Sequence, residues 1–214
     1  CYSFHMIITY YGAASVKVQI GDTVLAFNPV SKESKQKASR FGANIALISV
    51  NHPDYNGSEN AAFGDKQPFV VDGPGEYESS GIFIKGIKTD GPNGLINTAY
   101  SVLFENIRMV HLGGIGSKEI AAEAKEAMGS IDIVFVPLSG EGILPADEAY
   151  DLASSFEPAF IIPLHGGEKG KGTPLDKFLE EAGEDAPEFL DKLTVKKKDL
   201  EGKESEIVFL SSVL

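Results

Sequence analysis

The amino-acid sequence predicts an α/β fold with helices packed outside two sheets. Three observations predict it. From Ile7 to Leu112 the chain reads almost entirely as short strands broken by Gly, Pro and Asn turns. Past Gly116 the pattern changes to helices alternating with strands, closed by a late strand. Ile45–Val50 is a continuous apolar run, the mark of a strand covered on both faces. On pattern alone, a three-layer α/β fold is the alternative.

The elements follow in order. Ile7–Tyr11, Ser15–Ile20 and Thr23–Phe27 read as strands, with Gly12 and Gly21-Asp22 as turns. The polar run Ser31–Arg40 is a short helix or a loop. After the buried run at Ile45 come Phe69–Val71, a Gly-Pro-Gly turn at 73–75, and strands at Glu76–Glu78 and Ile82–Ile87. Residues 90–97 form a Gly/Pro/Asn loop. Ala99–Phe104 and Arg108–Leu112 read as a hairpin turning at Glu105-Asn106. Ser117 caps a helix to Met128, with Glu119 in its first turn. Ile131–Val136 is a strand, Pro145–Phe156 a helix with proline in its first turn, and Ala159–Leu164 a strand ending at His165. Pro174–Ala182 is a helix and Glu206–Leu210 a strand.

A chain of 214 residues suits one domain, or two small halves sharing a core. A chain of this size hides roughly 70% of its unfolded surface. Its 43% hydrophobic and 23% charged content is that of an ordinary folded protein. A net charge of −12 repels phosphate backbones and argues against nucleic acid as a partner. The basic cluster Lys196–Lys198 reads as a solvated strand end beside Asp199 and Glu201. Cys1 is the sole cysteine, so no intrachain disulfide is expected and a reducing, cytoplasmic setting suits the chain. No apolar run approaches the ~20 residues that cross a bilayer, and no membrane partner is expected. No signal peptide is read ahead of the first strand. Met6 is the expected natural start; residues 1–5 are set apart, and residues 6–214 form the expected domain.

A short loop follows the buried run: Asn51-His52-Pro53-Asp54-Tyr55-Asn56-Gly57. Imidazole and carboxylate at the end of a rigid strand can build a site for zinc, iron or manganese. The same His-x-Asp spacing also suits a plain turn with an Asx-type bond. The stretch from Ile48 to Gly57 resembles the His-x-His-x-Asp-His motif of the metallo-β-lactamase superfamily, with His52 and Asp54 matching. Val71–Glu78, Gly81–Ile87, His111–Gly116, Ile161–His165 and Tyr10–Ser15 resemble further segments of its small bacterial Zn-dependent hydrolase type. The resemblance runs from about Ile7 to Gly167.

That resemblance implies the four-layer αββα sandwich of the metallo-β-lactamase type. It also implies a two-metal centre in which metal-bound hydroxide attacks the substrate. Carried onto this chain, much of that centre is missing. Val50 and Tyr55 stand where two histidines belong, no histidine lies near Thr89 or Asp90, and Gly114 stands where an aspartate bridges the metals. His52, Asp54 and His165 remain as candidate ligands, with Tyr55 and Asp90 as groups that can lend an oxygen. His111 is expected to be structural or to support the site from behind. Asn28 replaces a common aspartate that orients site residues. Ala13 stands where a histidine is common.

Two functions compete, and a third that the resemblance also implies, a nuclease, is disfavoured by the acidic net charge. In the first, the metal site is eroded, two-metal hydrolysis is absent, no cofactor is expected, and the chain binds a small molecule or protein, or scaffolds, in a possible homo-oligomer. In the second, a reduced single-metal site of His52, Asp54 and His165 hydrolyses an ester, phosphoester or lactone, with Asp54 the catalytic candidate. Gly73–Gly75 and Gly113–Gly116 lack the spacing of phosphate or dinucleotide loops, although backbone N–H groups ahead of Ser117 can form an anion-binding nest. Ser139–Gly142 is not a nucleophile elbow. The Gly/Lys stretch 166–172 reads as a surface loop or a lid.

Overall fold

Alternating buried and half-exposed side chains run through β1 (Met6–Tyr10) and β2 (Val16–Ile20), as strands with one face in a core require. With β3 (Thr23–Phe27) they form an antiparallel meander. β4 (Ile45–Leu47) and β5 (Phe69–Val71) extend it in parallel, and β13 (Leu193–Val195) pairs with the free edge of β1. The order is β13-β1-β2-β3-β4-β5. The computed structural model describes residues 5–164, 171–184 and 188–214.

The second sheet begins as an antiparallel meander of β6 (Gly75–Ser79), β7 (Ile82–Asp90), β8 (Ile96–Phe104) and β9 (Ile107–His111). β10 (Ile133–Pro137), β11 (Phe160–Leu164) and β14 (Glu206–Ile207) then add in parallel. The turn between β8 and β9 falls at Glu105 and Asn106, both at positive φ, as a two-residue hairpin with right-twisted strands demands.

Three apolar clusters set the layers. Ile8, Tyr10, Leu25 and Phe27 of one sheet meet Tyr100, Met109, Phe135 and Ile162 of the other. On the far side of the second sheet, Val110, Val134 and Ile161 are covered by α1 (Ala122–Met128), α2 (Ala146–Ser154) and α3 (Pro174–Ala182), through residues such as Met128, Leu152 and Phe178. On the far side of the first sheet, the small side chains Ala26 and Ala46 are covered by Ala61 of the 3-10 turn Ser58–Ala61, with Phe41 and Ala43 alongside. The two sheets thus pack face to face, with α-helices on one outer side and, among the described residues, a 3-10 turn and loop in place of the expected helices on the other. No helix among the described residues is long and apolar enough to cross a membrane.

Several expectations need correction. The helix expected from Ser117 begins only at Ala122. Ser117 Oγ takes the Glu119 N–H in a two-residue turn, a local bond that competes with helix. Gly116 N–H, just before it, is tied to Asp90 O at 2.8 Å rather than left as part of an open nest. Pro145 caps α2 from outside instead of sitting in its first turn. Of the helix or loop expected over residues 31–40, the structure has the loop. The single late strand is two: Glu206–Ile207 pair with β11, and β15 (Phe209–Leu210) turns away to β12 (Phe189–Leu190). Lys196 precedes a 3-10 turn, Lys197–Leu200, in which Lys197 pairs with Asp132.

Candidate functional site

Backbone past β4 is gripped before the loop begins. Tyr100 Oη donates to Ile48 O at 2.8 Å, Thr98 N–H donates to Ser49 O at 2.8 Å, and Val50 bridges to Asn97. The loop then curls on His52, whose carbonyl accepts the N–H groups of Tyr55 and Asn56 at 2.8 and 3.0 Å. The side-chain bond that closes the turn belongs to the histidine: His52 Nδ1 accepts Asp54 N–H at 3.2 Å. His52 Nδ1 lies 3.8 Å from Asp54 Oδ2, with the imidazole half exposed. Asp54 Oδ1 accepts the Ser34 hydroxyl.

Tyr55 turns inward and is 8% exposed. Burial, with the nearby Asp54 charge second, pushes its phenol up to about 12. At neutral pH it is therefore a protonated hydrogen-bond donor, not a phenolate. Its ring fills the space beside Gly114. A Cβ built at Gly114 comes to 3.1 Å from Tyr55 Cζ, Tyr55 Oη and Val50 Cγ2 alike. Positions 50, 55 and 114 thus converge, but on packing contacts.

Beneath this contact lies a buried polar network. Asn28, in the left-handed region at φ 44°, accepts both Ser49 N–H and Ser49 Oγ–H on Oδ1 at 2.8 Å. Its Nδ2 is buried with no hydrogen-bond partner among the described residues. Asn97 Oδ1 accepts Gly114 N–H, and its Nδ2 donates to Thr89 Oγ1 and Leu112 O. Gly113 is held at φ +68°, and a Cβ there would meet Asn97 Oδ1 at 2.3 Å, so only glycine fits. His111 is fully buried, stacked on Phe27 and Phe135. Its Nδ1 accepts Gly113 N–H at 3.0 Å, so Nε2 carries the proton and donates to Ala14 O at 3.0 Å. Burial, opposed by the Ala14 bond, lowers this imidazole to about 3, so it is neutral and structurally satisfied.

A cleft of about 230 Å³ opens above, lined by Ala13, Ala14, Gln36, Asp54, Tyr55, Ser139 and Gly140. Of the residues singled out from sequence, Asp54 and Tyr55 line it, as does Ala13. His52 stands outside its lining on the exposed loop. Asn28 and His111 are buried, and Asp90 is exposed at the end of β7, its carbonyl tied to Gly116. His165 lies outside the described residues. Ser34 and Gln36 were not expected here. The signal for them was the polar run after Asn28-Pro29, which spacing rules cannot place. Ser139 lines the cleft although its Gly-rich loop matched no catalytic motif.

Residues 7–165 match the beta-lactamase superfamily domain. The chain belongs to the metallo-β-lactamase superfamily. A superfamily member from Thermotoga maritima, inferred to be a Zn-dependent hydrolase, superposes with a TM-score of 0.76 at 26% identity, covering 97% of this chain and 99% of its own. A metallo hydrolase of the archaeon Ignicoccus hospitalis superposes at 0.61 with 13% identity, over 89% of this chain and 97% of its own. A UPF0173 protein of Pyrococcus abyssi is 20% identical over 78% of this chain and 87% of its own length.

Members of the superfamily usually bind zinc or iron. The side chains of Val50 and Gly114 offer no lone pair, and the Tyr55 ring takes the space a side chain at 114 would need. Among the described residues no cluster of three or more His, Cys, Asp or Glu side chains is placed to hold a metal ion.

Proposed function

We propose that this metallo-β-lactamase-fold chain carries an eroded metal site, does not perform two-metal hydrolysis, and works as a binding domain for a small molecule at the cleft beside Tyr55. The observation that carries this reading is the contact of Gly114 with Tyr55 and Val50, each 3.1 Å from the Cβ that position 114 would bear. An ion pair needs donors at those places, and here they fill one another. The fold itself is neutral on the question, since one scaffold serves many chemistries.

The test is metal analysis of protein purified without chelator, with thermal unfolding before and after adding zinc, iron or manganese. Sub-stoichiometric metal and an unchanged melting temperature are expected. The triple variant Val50→His/Tyr55→His/Gly114→Asp should gain metal-dependent stabilisation. Stoichiometric metal lost in His52→Ala or Asp54→Ala would instead establish the second reading, a single-metal hydrolase of an ester, phosphoester or lactone. One observation favours that reading: His52 Nδ1 and Asp54 Oδ2 already lie 3.8 Å apart, Asp54 beside the cleft.

A further inference from the structure

Residues 31–40 form a strap that reaches the cleft. Ser31 Oγ–H and Lys32 N–H both bond Glu59 Oε1, at 2.9 and 3.1 Å, anchoring its start. Ser34 is the joint: its hydroxyl donates to Asp54 and accepts Gln36 N–H at 2.9 Å. Through that joint Gln36 becomes part of the cleft lining.

The strap's charge runs against the rest of the molecule. It holds Lys32, Lys35, Lys37 and Arg40 against Glu33 alone, in a chain of net charge −12. Lys35 and Lys37 flank Gln36, are exposed, and have no carboxylate within ion-pair distance among the described residues. The cleft walls add uncharged donors in the Gln36 amide, the Ser139 hydroxyl and the Tyr55 phenol. Among the described residues Asp54 is the one charged wall group, and one of its oxygens is already engaged by Ser34. Lys35 and Lys37 adjoin the lining residue Gln36 in the chain without themselves lining the cleft, and positive charge beside it on an acidic body concentrates small anions nearby, while the body's charge and a volume of about 230 Å³ disfavour a polyanion.

We infer that the cleft binds a small organic anion, a carboxylate or a phosphate monoester, its charge toward Lys35 and Lys37 and its remainder bonded by Gln36, Ser139 and Tyr55. This rests on reading the cleft as a ligand site and not as a two-metal centre.

Calorimetric titration of the full chain, freed of metal on a chelating resin, tests it with succinate, glycerol 2-phosphate and uncharged glycerol. At least one of the two anions should bind and glycerol should not. Charge reversal in Lys35→Glu/Lys37→Glu should weaken the anion by roughly tenfold, as should added salt. Gln36→Ala should weaken it without altering the melting temperature. Whether succinate, glycerol 2-phosphate or both bind identifies the charged group. Glycerol binding as tightly as the anions, an unaffected charge-reversed variant, or no binding of either anion overturns the inference. So does a single-stranded oligonucleotide that outcompetes both anions. Anion binding that appears only after zinc is restored leaves the charge preference intact but removes the metal-independent reading beneath it. The metal content of the same preparation judges that reading separately.

Discussion

Asn97 Oδ1 accepts the Gly114 N–H at 2.8 Å, while the same side chain's Nδ2 donates to Leu112 O at 2.9 Å and Thr89 Oγ1 at 2.7 Å. One amide therefore ties the end of β7 to the chain that leaves β9. Asn97→Ala would strand a buried N–H and a buried carbonyl, each costing about 1–3 kcal/mol. Denaturant unfolding should show a loss of roughly 3 kcal/mol or more. A loss near zero would mean that other groups satisfy the loop.

Adjacent glycines should respond differently. Gly113→Ala combines a positive φ with a Cβ 2.3 Å from Asn97 Oδ1 and should cost more than ~3 kcal/mol. Gly114→Ala asks only that Tyr55 and Val50 yield by a few tenths of an ångström, at ~1–2 kcal/mol. In a Tyr55→Leu background the Gly114→Ala cost should shrink. A double-mutant cycle measures that coupling, and strict additivity would show that the ring does not press on position 114.

His111 makes stability fall in acid. Its folded pKa of about 3 lies below the ordinary histidine value of about 6.5. Between those values the unfolded chain binds the extra proton. The contribution is thus complete above about pH 6.5 and is lost as pH falls toward 3, at up to ~1.4 kcal/mol per pH unit. His111→Gln should be less stable at neutral pH yet show a shallower slope on acidification. Parallel slopes for the two proteins would assign the acid sensitivity to other groups.

Tyr55 should ionise late. Its phenol is held near 12 by burial and then by Asp54, so an ultraviolet titration of the native protein should lose one high-pH tyrosine in Tyr55→Phe. In Asp54→Asn the same transition should move down, because the second cause is gone. Ionisation of Tyr55 near the ordinary value of about 10 would contradict its burial.

Local pattern made most of the framework legible. Thr23–Phe27, Phe69–Val71 and Pro174–Ala182 were readable to the residue, because turn residues or a proline bracket them. β12, β13 and the break at Val208 were not. Those two- and three-residue strands exist only through partners far away in sequence, such as Met6 opposite Val195 and Phe189 beside Phe209. At the site, His52, Asp54 and Tyr55 were visible as a motif. That His52 would close its own turn, that Tyr55 would fill the space beside Gly114, and that Ser34 would reach across to Asp54 depend on tertiary placement, which no spacing encodes.

The mutual packing of Val50, Tyr55 and Gly114 also bears on how such a site can change. Histidine at position 50 alone would set a polar ring against an aromatic wall. Aspartate at 114 alone would collide with that wall, and histidine at 55 alone would leave a gap and a lone donor. Every single reversal is thus uphill, and only a concerted replacement reaches a working constellation. On the eroded-site reading proposed above, the interlock acts as a ratchet: once closed, it leaves two-metal chemistry no stepwise route back, and the chain is free to vary around a new use.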